Sequence, residues 1–184
     1  MISREEALVL INKYLKNKDN LRISLSVEAI LKKMAQILNE DEELWSLTGL
    51  LFNIDYEYTE GDKENRGTLS SQILEDLLPP EGINAIKANN YLYTDILPVA
   101  PLDKALMASE AAVKLIIDTS KSISSKRISD VSIDVLMDRF NDSYFTSNNS
   151  VSRVKLCIDN SFKVEDFLKL VLDILKDIAE NIGL

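Results

Sequence analysis

The chain has 184 residues, 46% of them hydrophobic, with 21 Lys and Arg against 30 Asp and Glu and a formal charge of -9; the mean hydropathy is -0.04 and the isoelectric point about 4.6. Such a composition folds into a globule rather than staying disordered. The acid excess argues against nucleic acid as the main partner, because phosphate contacts need clustered Lys and Arg, and it disfavours an anionic membrane surface. Histidine is absent altogether, so His-based triads and imidazole metal sites are excluded within this chain.

The first helix opens at Ser3 with Glu6 three residues on, a capping box, and places Ala7, Leu8, Ile11 and Leu15 on one side. A second helix runs from about Leu21 to Leu38. Asp41 is the expected N-cap of EELWSLTGLLF. In that stretch Trp45 reads as core, and Gly49 to Glu57 (GLLFNIDYE) passes from apolar helix to acidic turn. Residues Tyr56 to Arg66 read as a charged loop, and Thr68 to Leu78 as a short helix stopped by Pro79-Pro80. Pro80 also suits the first turn of a helix over EGINAIKANN. YLYTDILPVAP reads as extended, with at most a stray strand pairing near Tyr91–Ile96. A long helix follows from Pro101 to about Thr119.

Lys121 to Asp130 is a polar break; its three basic residues, Lys121, Lys126 and Arg127, read as a solvated loop. A helix near Val131–Phe140, a loop NDSYFTSNNS, and helices over Val151–Asn160 and Val164–Ile182 complete the chain, the last ending at Gly183. The single cysteine, Cys157, lies in an apolar pattern and reads as a buried, inert thiol. No N-terminal stretch joins basic residues to an apolar run, and no apolar run approaches the ~20 residues of a membrane span. The expectation is a cytoplasmic, all-α protein, one domain over residues 1–184, with about eight to ten helices, no cofactor, and an oligomeric state that the sequence leaves open.

Six phrases in order resemble the HD-domain superfamily of metal-dependent phosphohydrolases: SVEAI (Ser26–Ile30), LTGLLFNIDYE (Leu47–Glu57), RGTLSSQIL (Arg66–Leu74), AIKANN (Ala85–Asn90), LDKALMASEA (Leu102–Ala111) and the terminal FLKLVLDILKDIAENIGL. The chain looks like small stand-alone bacterial members. The resemblance implies an HD-like helical bundle. It also implies that the positions of the family's metal ligands fall on Ile23, on the dipeptide Phe52-Asn53 and on Glu110. Two further family positions fall on Arg66 and Asn89. Ile23 and Phe52 offer no donor, Asn53 is a neutral and weaker ligand than aspartate, and Glu110 alone is insufficient. No metal is therefore expected, and with it goes the metal-made hydroxide that phosphate ester hydrolysis needs.

Three functions follow from this reading. The first is a catalytically inactive HD-like domain with a scaffold, regulatory or protein-partner role. The second is a module binding a small anion or nucleotide in the relic pocket through Arg66, Asn89 and Lys104. The third is a phosphohydrolase with residual or atypical activity. On the first reading Arg66 or Asn89 stands within hydrogen-bonding range of a buried Glu110 and repairs its charge, and Ile23 and Phe52 are buried where the ion would lie. Asp55, Tyr56 and Glu57 read as a solvated acidic loop, with a role at the rim of the pocket as the alternative.

Overall fold

The computed structural model describes residues 1–183, and among these it is all helical: ten α-helices, three short 3-10 turns and no strand. Among the described residues no helix is long and apolar enough to cross a membrane. The chain gathers into two compact units that meet in sequence between Leu106 and Met107.

The first unit begins with α1 (Arg4–Tyr14), whose capping box is formed: Ser3 Oγ accepts from the Glu6 N–H, and Glu6 accepts from the Ser3 N–H at 2.8 Å. α2 (Lys18–Leu38) starts three residues earlier than the sequence indicates, because Asn17 caps it by accepting from the Asp19 N–H. It ends at Asn39, which takes the left-handed conformation at φ 57°. Arg4 grips the buried Glu28 with two prongs, Nε to Oε1 at 2.5 Å and a terminal nitrogen to Oε2 at 3.0 Å, and so ties α1 to α2.

α3 (Glu42–Leu51) is capped by Asp41, which accepts from the Glu43 and Leu44 N–H groups. It crosses α2 at backbone distance. A Cβ on Gly49 would stand 2.9 Å from the Val27 carbonyl oxygen and 3.0 Å from Glu28 Cα, so only glycine permits the approach. α4 (Thr68–Leu74) stops short of the expected Leu78, and the chain turns through Glu75–Leu78 to α5 (Pro80–Ala88), with Pro80 in its first turn. Tyr91–Thr94, expected to be extended, winds into a single helical turn, α6. The Tyr93 and Thr94 N–H groups donate to the Asn90 carbonyl, and Asp95 ends the turn at φ 58°. Ile96 to Ala100 is irregular. The long α7 (Pro101–Ser122) then begins with Asp103 accepting from the Val99 and Ala100 N–H groups. Ala7, Ile11, Val27, Ile30, Leu31, Met34, Trp45, Leu47, Leu50, Leu51, Leu74 and Ile86 are buried.

The second unit holds most of α7, which continues three residues past the expected Thr119 into the polar break. α8 (Ile133–Asn141) is capped by Ser132, and α9 (Asn148–Lys155) by Ser147, so the expected 141–150 loop is helical from Asn148. α10 (Val164–Ile182) ends at Gly183 in the left-handed region, φ 74°. α8 and a 3-10 turn at Ile128–Asp130 pack on α10, whose Phe167, Leu168, Val171, Leu172 and Leu175 are buried. Cys157 is buried too, and burial pushes its thiol up to about 12, with Asp159 adding to the shift; it is an unreactive core thiol.

Candidate functional site

α3 ends because Phe52 and the residues after it tighten into turns. The Ile54 N–H donates to Leu51 O, the Tyr56 N–H to Asn53 O, and the Tyr58 and Thr59 N–H groups to Asp55 O. Phe52 is 4% exposed and packs as core. Asn53 is buried, and both ends of its amide are used on α2. Its oxygen accepts from Ser24 Oγ at 2.5 Å, and its Nδ2 donates to the Asn20 carbonyl at 3.3 Å. Ile23, the other apolar residue singled out from the sequence resemblance, is half-buried rather than enclosed.

The acidic turn is not a solvated loop. Asp55 is wholly buried. Its Oδ2 accepts from the Gly67 N–H at 2.7 Å and the Ser70 N–H at 3.0 Å, its own N–H donates to Ser70 Oγ, and its Oδ1 has no hydrogen-bond partner. Asp55 is thus the cap of α4. The local capping position is Gly67, which has no side chain to offer. A side chain is barred there by φ +81° and by the Ile86 carbonyl 3.1 Å from where a Cβ would stand.

Glu57 does similar work at the α1–α2 junction. Its carboxylate accepts from the Lys16 N–H at 3.0 Å, the Asn17 N–H at 2.8 Å and Asn20 Nδ2 at 3.4 Å. Partial burial pushes the Glu57 carboxyl up, but the Asn17 and Lys16 amides and Asn20 pull it down further, and the net shift is below the ordinary glutamate value. Asn20 links the two systems: its amide lies on Glu57 and its carbonyl on Asn53.

Arg66 is half-buried. Its Nε donates to Thr59 Oγ1 at 3.2 Å, a terminal nitrogen donates to Thr59 O at 3.3 Å, and the guanidinium lies 4.0 Å from the centre of the Tyr56 ring. Asn90 Nδ2 donates to the Arg66 carbonyl at 2.8 Å and fixes the backbone there. Asn89, at the C-terminal end of α5, and Lys104, in the first turn of α7, are both half-buried.

Glu110 belongs to the second unit and is 8% exposed. Lys114 Nζ donates to its Oε1 at 2.6 Å, and Arg153 donates to its Oε2 at 2.7 Å. A buried carboxylate with a basic counter-charge is as expected, but the basic residue is Arg153 from α9. Arg66 spends its guanidinium on Thr59 and Tyr56. The sequence gives no cue for this pairing, since Glu110 and Arg153 are 43 residues apart. For Asp55 a cue did exist: a helix opening on Gly67 lacks a local acceptor and must borrow one.

Of the positions singled out from sequence, Phe52 and Asn53 lie together at the end of α3, with Asn53 bonded to the start of α2; in the second unit Glu110 accepts from Lys114 and Arg153. Among the described residues no three His, Cys, Asp or Glu side chains are grouped so as to hold a metal ion. The donors at these positions are also engaged: the Asn53 oxygen by Ser24, the two Glu110 oxygens by Lys114 and Arg153. No protein-family model matches the chain, and no curated protein and no solved structure matches it.

Proposed function

We propose that this protein is a catalytically inactive HD-like helical domain with a scaffold, regulatory or partner-binding role. The observation that carries the reading is the Asn53 amide. It occupies one of the two positions where the resemblance implies a His-Asp pair, and it is tied at both ends to Ser24 and Asn20, inside the fold rather than toward a ligand. The adjoining Phe52 is core, Ile23 is aliphatic, and the Glu110 carboxylate carries two cations. Such a set gives an ion too few donors. Without an ion there is no hydroxide at neutral pH to attack a phosphate ester, a bond whose uncatalysed hydrolysis is among the slowest known.

A partner-binding role draws support from the run between α5 and α7, where Leu92, Tyr93, Leu97 and Val99 are all exposed within eight residues. The reading as a small-anion module is weaker. Arg66, its central residue, holds Thr59 and lies on Tyr56, as a structural arginine does.

The test is chemical. Protein freed of any polyhistidine tag is analysed for metals and assayed on a phosphomonoester with added Mn²⁺ or Mg²⁺. The expected outcome is far less than one equivalent of Mn, Fe, Ni or Zn, and hydrolysis equal to the protein-free blank. Metal-stimulated turnover that copurifies with the chain would replace this reading with the residual-enzyme one.

A further inference from the structure

We propose that the run from Leu92 to Val99, between α5 and α7, pairs with the same run on a second copy of this chain. The inference rests on the partner-binding reading above and names the partner. Leu92, Tyr93, Leu97 and Val99 are exposed by between 49% and 74% and fall within eight residues. Other exposed large apolar residues, such as Val9, Ile37 and Ile158, stand singly along the chain. Single ones are ordinary on a surface, but a group of four is not.

The run is held in one shape. The Tyr93 and Thr94 N–H groups donate to the Asn90 carbonyl, Thr94 Oγ1 donates to the Lys87 carbonyl at 2.8 Å, and the Ile96 N–H donates to Thr94 Oγ1 at 3.4 Å. At the far end Asp103 accepts from the Val99 and Ala100 N–H groups, and Asn84 Nδ2 donates to both oxygens of that carboxylate. Pro98 and Pro101 fix two more backbone angles. An apolar surface that is already shaped loses little freedom on docking.

Charge decides what docks. From Ala88 to Leu102 the only charged residue is Asp95, in a chain that is 28% charged. Two copies at -9 each repel where their charged surfaces meet. At this run they bring together little charge beyond the two Asp95 side chains. A basic partner would find one carboxylate here and would be drawn instead to the acidic remainder of the surface. A two-fold contact also needs a patch that suits itself. An apolar, nearly uncharged run does, with Leu92 and Tyr93 of one copy facing apolar side chains of the other. Its extent sets the strength. Eight residues are well short of the roughly 20–30 a side of a standard interface, so the pair is weak and forms at micromolar concentrations.

Sedimentation velocity on the full chain at neutral pH, from about 5 to 500 μM, tests it. The wild type should move from 20.7 kDa toward twice that mass over the range. Raising NaCl from about 50 to 500 mM should tighten the pair, because salt screens the repulsion between two acidic copies. Leu92→Ser and Leu97→Ser together should weaken it by about tenfold or more. They should leave the melting temperature unchanged, since both side chains are exposed. Ile37→Ser, at an exposed apolar position on α2, should change nothing. A wild type that stays monomeric at the top concentration would overturn the pairing and assign the run to a different protein. A dimer that salt dissociates would overturn it too, as would one that the double variant forms equally well. The metal and phosphomonoester assays decide the inactive-domain reading separately, whatever the mass.

Discussion

Glu110 is a buried carboxylate that accepts from two basic side chains. A carboxylate that is 8% exposed carries a large desolvation cost, offset here by Arg153 and Lys114. Arg153 is itself largely shielded, with 16% of its side chain exposed, whereas Lys114 is 43% exposed and more screened. Removing the shielded partner should therefore cost more. Arg153→Ala is expected to lower the unfolding free energy by about 3 kcal/mol, the low end for a stranded buried charge because Lys114 stays. Pairing it with Glu110→Gln should recover most of the loss. Arg66→Ala removes only bonds to neutral Thr59 acceptors and a contact with the Tyr56 ring, and should cost about 1–2 kcal/mol. Urea denaturation of the three variants checks this order, and equal costs for Arg153 and Arg66 would contradict it.

At the scale of elements, the contact between α2 and α3 rests on the absence of one atom. In an exposed helix interior Gly→Ala is worth about 1 kcal/mol of stabilisation. At Gly49 the new methyl would press on the Val27 carbonyl and Glu28 Cα, which are backbone and do not swing aside. Overpacking of that kind costs about 1–3 kcal/mol and should win. Gly49→Ala is expected to be net destabilising in thermal or urea unfolding, and a more stable variant would mean that the helices stand further apart. The sign was not legible from sequence, where Gly49 is merely a glycine in a helix. What was legible follows one pattern. Boundaries set by local chemistry were readable: the Ser3–Glu6 box, Asp41, Pro80 and Gly183. Boundaries set from a distance were not. Asp55 caps α4 across 12 and 15 residues and Glu57 braces the α1–α2 junction across 40 and 41, so both looked like solvated charge. Phe52 was legible as core. The partners of Asn53 and Glu110 were not, because a side chain's neighbour in space leaves no mark beside it in the sequence.

For the whole molecule the consequence is a dependence on pH. The net charge of -9 at neutrality vanishes near the isoelectric point of about 4.6, so solubility should be lowest there. Stability changes over the same range for a separate reason. The Glu57 carboxyl is held below its ordinary value of 4.5, so the folded state binds its proton less readily than the unfolded state does. Its contribution is fully present above pH 4.5 and is lost as pH falls through the lower, folded-state value. Glu57→Gln has no such group to titrate. The wild type should be the more stable of the two at pH 7, with the gap closing as the solution is acidified below the ordinary glutamate value. Urea midpoints of both proteins at pH 7, 5 and 3.5 read this directly, and parallel profiles would mean that Glu57 is not held by the Lys16 and Asn17 amides.

The cap that Asp55 supplies to α4 also sets an order of events. A seven-residue helix that opens on glycine cannot nucleate alone, because its first turn fixes several residues before any hydrogen bond repays them. Its missing acceptor arrives only when the chain closes from Asp55 to Gly67, a loop short enough to form in roughly 10–100 ns once the flanking helix is in place. α4 is therefore expected to form late, and substitutions of its buried Leu74 should speed unfolding more than they slow folding in stopped-flow measurements; the reverse would place α4 in the folding nucleus.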